Sequence, residues 1–171
     1  MRTRFKIITL LSGVLAFGML AVYYLVIYPN RFDTRIRMLP DIRFETTSGN
    51  ELRLHHAVAD HAALLINFNP RCHLCTEEIF ELKKHHADFS ETRILLASSQ
   101  PLAELDSFSK AENMHMYPGI TIVHDIDLNM VRLFGATITP STYIYDKSHR
   151  LVDVFEGDTD IENILRSVKS D

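Results

Sequence analysis

The chain's only two cysteines, Cys72 and Cys75, stand three positions apart between an apolar run, Ala63 to Phe68, and a segment of helical periodicity. No other stretch constrains the fold as tightly. A continuous apolar run of strand length is expected of a central strand covered on both faces. The change of period after Cys72 puts the first cysteine at the start of a helix. Free backbone N–H groups and the macrodipole favour negative charge there. A thiol so placed gives up its proton more readily, and only the thiolate attacks a disulfide. The second sulfur, one helical turn on, is close enough to attack the mixed disulfide that forms. By this logic Cys72 is the nucleophile and Cys75 the resolving thiol. Arg71 adds positive charge beside Cys72, and a protonated His73 would act in the same direction.

What precedes the pair reads as delivery. Ile7 to Tyr28 holds no charged residue, about the length a helix needs to cross a bilayer. Tyr23, Tyr24 and Tyr28 gather at its far end, where amphipathic rings favour the interface. Arg2, Arg4 and Lys6 precede it, so residues 1–6 are expected in the cytoplasm, 7–28 as a single-pass anchor and the rest outside. A cleaved signal peptide would have a shorter apolar core and a small-residue cleavage site; this run ends in Leu25-Val-Ile-Tyr28. Residues 29–38, rich in arginine, read as a tether without a fold of its own.

An exported location weighs on the other readings of the pair. Structural zinc wants four ligands, and no second cysteine pair exists; no metal and no cofactor are expected. Two merely buried thiols would be unusual where the compartment oxidises them. The chain is slightly acidic outside its N-terminus and has no basic stripe with interleaved aromatics, so nucleic acid is not an expected partner.

The rest reads as one α/β domain over residues 39–171. Asp41 to Thr46 and Glu51 to Leu54 alternate in period two around the turn signal Thr47-Ser-Gly-Asn50, a hairpin. His55 to His61 reads as a short helical connection. Cys75, Ile79, Leu82, His86 and Phe89 share one helical face. Thr92 to Ser98 is a second core strand, Pro101 to Met114 a helix, Ile120 to Val123 a strand, and Asp127 to Phe134 a helix stopped by Gly135. Ala136 to Asp146 and Arg150 to Phe155 pair as strands. A last helix begins near Thr159, with Thr159 and Glu162 at capping-box spacing and Ile161, Leu165 and Val168 on its inner face. The order implies a mixed central sheet covered on both faces.

These residues resemble a family. Leu64-Leu-Ile-Asn-Phe68 leading to Cys72-His-Leu-Cys75 and Glu77-Glu78, then Thr139-Pro-Ser-Thr-Tyr-Ile-Tyr-Asp146, then Leu39-Pro-Asp41 with Ser48-Gly-Asn50, together resemble the thioredoxin-fold redoxins. The match is to the membrane-anchored, TlpA/ResA-like thiol–disulfide oxidoreductases. The resemblance implies a thioredoxin-like fold with an added N-terminal hairpin. It implies thiol–disulfide exchange with exported proteins, and a redox partner that recycles the pair. It also implies a cis Pro140 beside the cysteines, with the Thr139 backbone free to bind an extended substrate. The family usually has Trp where this chain has Arg71 and often Pro where it has Leu74; Arg71, His73 and Leu74 are therefore the expected tuners of the potential. No titratable residue precedes the motif at Ile66 or Asn67. Glu78 is a candidate proton acceptor for Cys75 by proximity, but it reads better as an exposed first-turn acid that stabilises the helix dipole.

Two other functions share this fold. A Sco-like copper module would need a histidine near Thr139-Pro140, and His124, the nearest, belongs to an earlier segment. A peroxiredoxin would place a Thr upstream of its reactive cysteine, and none precedes Cys72 suitably. The remaining histidines, and His115 between Met114 and Met116, read as surface or packing residues. Asp153 to Asp160 reads as a solvated turn.

Overall fold

The computed structural model describes residues 13, 15–23 and 34–169. The chain divides into two units, Met1–Thr34 and Arg35–Asp171. In the first, residues 15–22 are helical and carry exposed apolar side chains such as Leu15, Phe17 and Met19. Most of the expected anchor over 7–28, and residues 29–33 of the expected tether, lie outside the described residues. Among the described residues no helix is long and apolar enough to cross a membrane.

The second unit is the thioredoxin-like α/β fold. Seven strands form one sheet: β1 (Arg43–Thr46), β2 (Glu51–Arg53), β3 (Ala62–Asn67), β4 (Thr92–Ser98), β5 (Ile120–His124), β6 (Ser141–Tyr145) and β7 (Leu151–Glu156). Their order is β2-β1-β5-β4-β3-β6-β7. Strands β3, β4 and β5 run parallel; the other neighbours are antiparallel. The helices are α1 (Leu54–Val58), α2 (His73–Lys84), α3 (Leu102–Ala111), α4 (Asn129–Arg132) and α5 (Ile161–Val168).

Every residue of β3 is buried, as its apolar run requires. Its side chains alternate between two cores, because successive strand residues point to opposite faces. Leu64 and Ile66 pack with Ile79 and Leu82 of α2 and Ile161 and Ile164 of α5. Ala63 and Leu65 pack on the other face with Leu54, Val58, Phe44, Tyr143 and Tyr145. The hairpin forms with Phe44 opposite Leu52, its turn eased by Gly49 at φ +82°.

Several expectations need correction. The body starts before residue 39. Ile36 and Leu39 are buried, the Tyr145 hydroxyl donates to the Ile36 carbonyl at 2.9 Å, and Leu39 N–H donates to His149 O at 2.8 Å. The β6 strand begins only at Ser141, since Pro140 has no N–H for a ladder and residues 136–138 are held as a loop. The α2 helix stops at Lys84, so His86 falls in a separate 3₁₀ turn and is exposed. The last helix is capped by position, not side chain. Asp160 stands at its N-cap and no capping-box bond forms; Ile161 and Ile164 are buried in the core, and Leu165 and Val168, partly buried, pack against it.

Candidate active site

The turn Asn69-Pro70-Arg71 delivers Cys72 to the start of α2. Asn69 organises it: its side-chain Oδ1 accepts from Arg71 N–H, and its carbonyl accepts from Cys72 N–H, each at 2.9 Å, the local geometry asparagine favours in turns. Cys72 is the N-cap residue, and its Sγ accepts from Cys75 N–H at 3.4 Å. One turn of helix then carries Cys75 beneath it. Cys72 is half-buried and Cys75 only 1% exposed, and both are free thiols.

Depth makes the two sulfurs unequal. Burial opposes ionisation of Cys72, but hydrogen bonds with Cys75, Thr139 and Leu74 outweigh it and hold its pKa below the ordinary thiol value. Burial pushes Cys75 up to about 12, and its hydrogen bond with Cys72 adds to the rise. At neutral pH the outer sulfur is the one able to attack.

The second wall of the site comes from the loop before β6. The Thr139–Pro140 peptide is cis, and the Cys72 thiol lies 3.6 Å from the Thr139 carbonyl, to which it donates. Pro140 is buried and Thr139 partly exposed. Asn67, last residue of β3, bonds through Nδ2 to the carbonyls of Ala136 (3.3 Å) and Ile138 (3.4 Å). The Ser141 hydroxyl donates to Ile138 O at 2.8 Å, and Gly157 N–H to Pro140 O at 2.9 Å. Asn67, which does not titrate, thus works as an amide brace between the two walls.

The three expected tuning residues diverge. Arg71 turns away from Cys72: its Nε donates to Glu104 Oε1 at 2.9 Å and its Nη2 to Oε2 at 2.5 Å. Glu104 lies in the first turn of α3, so this fork ties the cysteine loop to that helix. The lowering of the Cys72 pKa comes chiefly from hydrogen bonds with Cys75, Thr139 and Leu74 rather than from Arg71. His73 is exposed and pairs with Glu77, Nδ1 to Oε2, at 3.2 Å. Leu74 is exposed and forms an apolar rim.

Glu78 departs most from the reading of an exposed first-turn acid. It is 4% exposed. Its Oε1 accepts from the Thr142 hydroxyl of β6 at 2.7 Å, while Oε2 is buried without a hydrogen-bond partner. Burial raises its pKa to about 7; the Asp158 charge adds to this and the Thr142 bond opposes it. Three residues after Cys75, it lies on the same helix face. The sequence does carry a signal: Cys75, Ile79 and Leu82 define the inward stripe, and position 78 falls within it. Glu104 has no such signal, since only the tertiary fold brings it to Arg71.

His124 is bound to Glu45, Nδ1 to Oε2 at 2.9 Å, across β5 and β1. Among the described residues no group of three or more His, Cys, Asp or Glu side chains is placed to hold a metal ion.

Solved structures share this architecture at low identity. The exposed lipoprotein thioredoxin Etrx1 of Streptococcus pneumoniae is 18% identical, with a TM-score of 0.63 over 76% of this chain and 98% of its own. A secreted Mycobacterium tuberculosis disulfide oxidoreductase homologous to E. coli DsbE is 15% identical, TM-score 0.62, over 79% and 96%. A cysteine-to-serine mutant of peroxiredoxin 6 of Arenicola marina is 15% identical, TM-score 0.70, over 81% and 73%. A search of curated proteins returned no match. The AhpC/TSA family profile matches residues 37–154, a span that holds both cysteines and the Thr139–Pro140 bond, and the chain belongs to the AhpC/TSA family.

Proposed function

We propose that this protein is a thiol–disulfide oxidoreductase, of the TlpA/ResA-like kind, working on exported proteins from the outer side of the cytoplasmic membrane. One observation carries the reading. Cys72 caps α2 at the surface with its pKa lowered, and Cys75 lies buried one turn beneath with its pKa raised. That division of labour is what disulfide exchange needs and two equivalent thiols would lack.

The Cys72 thiolate attacks a disulfide sulfur of the partner. A Cys72–partner bond forms, the partner's own S–S bond breaks, and its second sulfur leaves as a thiolate. Cys75 then gives up its proton and attacks Cys72 Sγ. The pair becomes a disulfide, and the partner leaves as a dithiol, reduced by two electrons. A dithiol donor must restore the pair, and the same steps run in reverse oxidise a partner. With a pKa near 7, Glu78 can accept the Cys75 proton and release it again at neutral pH. Thr139 offers its backbone to the extended partner segment at Cys72.

The supporting case for location is the uncharged run over 7–28 behind Arg2, Arg4 and Lys6, which acts as the anchor in this reading. The likeness to peroxiredoxins supports one alternative, reduction of a peroxide at Cys72. The test is turnover of a small disulfide by the full chain. Cys72→Ser abolishes it, Cys75→Ser accumulates the mixed disulfide, and full activity of the Cys72 variant refutes the reading. Peroxide consumption faster than disulfide turnover would favour the alternative.

A further inference from the structure

A groove of about 670 Å³ lies between the first turns of α2 and the segment Asp158–Glu162 that enters α5, and it reaches His73, the residue after Cys72. Six carboxylates line it: Glu77, Glu78, Glu81, Asp158, Asp160 and Glu162. Two are already paired, Glu77 with His73 and Glu81 with Lys84. Among the described residues no cation pairs with Asp158, Asp160 or Glu162. An acidic surface alone is ordinary, but Glu78 adds a second feature. Its buried Oε2 has no donor, and the Asp158 charge acts on it from across the groove. A buried acceptor left without a donor is unfavourable, and the groove beside it is short of positive charge.

The groove is far larger than an ion needs, and its side chains are not placed as metal ligands. His73, which follows Cys72, lines it. Whatever fills the groove therefore ends one residue from Cys72. Phe80, exposed on the same wall, offers apolar surface to the stem of a long side chain.

We infer that this groove seats a cationic segment of the partner polypeptide, lysine or arginine residues flanking the cysteine that Cys72 attacks. The inference rests on the proposed exchange reaction and names its substrate class. Opposite charge in a concave site concentrates the partner and speeds encounter. A lysine or arginine head inside also brings positive charge next to the buried Glu78 carboxyl. It favours the ionised form of Glu78, the form able to take the Cys75 proton, once a partner is bound.

The test uses the full chain and three disulfides. Two are peptides of equal length, each with one cysteine capped as a mixed disulfide with thionitrobenzoate, flanked by three lysines in one and three glutamates in the other. The third is a small neutral disulfide. At low ionic strength kcat/KM for the lysine peptide should exceed that for the glutamate peptide by about tenfold or more. The ratio should fall several-fold at about 1 M salt, where screening is short-ranged. It should approach one in the triple variant Asp158→Asn, Asp160→Asn, Glu162→Gln. Equal values for the two peptides, or a ratio that ignores salt, overturns the inference while leaving exchange chemistry intact. Failure to turn over even the neutral disulfide overturns the exchange reading, and this inference with it.

Discussion

Replacing Glu78 with glutamine isolates what burial does to the carboxyl group beside the cysteine pair. The group is raised to about 7 from an ordinary 4.5. Below about pH 4.5 it is protonated whether the chain is folded or not, and folding loses nothing by it. Between 4.5 and 7 the unfolded chain releases the proton while the folded chain keeps it, so stability falls as pH rises. Above 7 the full cost of ionising a buried group is in place, about 3 kcal/mol at about 1.4 kcal/mol per pKa unit.

Glutamine carries no such dependence. Its Oε1 can still accept from Thr142, and its amide N replaces the partnerless Oε2. An unsatisfied buried donor costs about 1–3 kcal/mol, but equally at every pH. The stability difference between variant and parent should therefore move by about 2–3 kcal/mol in the variant's favour between pH 5 and pH 8. Urea unfolding of the reduced proteins at several pH values measures it, and contributions from other groups cancel in the comparison. Profiles that run parallel across this range would refute the argument that Glu78 is held protonated by burial. With them would fall its case as the Cys75 proton acceptor.

Other perturbations separate the remaining claims. Iodoacetamide at pH 7 should alkylate Cys72 at least about a hundredfold faster than Cys75, given exposure and thiolate fraction; peptide mapping reads this, and comparable rates would sink the division between the sulfurs. Arg71→Ala should change the Cys72 alkylation rate by no more than about twofold, because the guanidinium is held on Glu104 and an exposed charge acts weakly; a larger slowing would return Arg71 to the role its position first suggests. Tyr145→Phe should cost about 1–3 kcal/mol by leaving the buried Ile36 carbonyl unpaired. Hydrogen exchange over residues 36–39 should rise with it, and unchanged protection there would contradict the packing of that segment.

The parts of this molecule written in local pattern are legible from sequence. The apolar run of β3, the period change after Cys72 and the turn at Gly49 each reflect one element's own chemistry, and each is found. What fails depends on neighbours. Ile36 and Leu39 sit among arginines, and nothing local says that Tyr145, far along the chain, offers a hydroxyl to the Ile36 carbonyl. Thr159 has the right spacing for a capping box, yet the helix starts later, at Ile161, with Asp160 as its N-cap. Glu78 reads by its type as an acid in a first turn, although the stripe Cys75, Ile79, Leu82 points position 78 inward.

Arg71 and Glu78 show the same lesson with opposite sign, and together they bear on the redox character of the pair. Arg71 is the charge nearest Cys72 in sequence, but its fork on Glu104 commits it to fixing the loop to α3. Stabilisation of the thiolate is then left to hydrogen bonds with Cys75, Thr139 and Leu74. A pair whose thiolate lacks a paired cation has a less stabilised reduced form than one that carries it, and so is the weaker oxidant. Glu78, by contrast, is bonded to Thr142 and not to the outer sulfur. Yet its proton is the one that can move with Cys75 near neutral pH, and it lines a groove short of positive charge. The charge that reads most clearly in the motif secures the scaffold, and in the exchange reaction proposed above the one that reads least clearly links the partner to the resolving thiol.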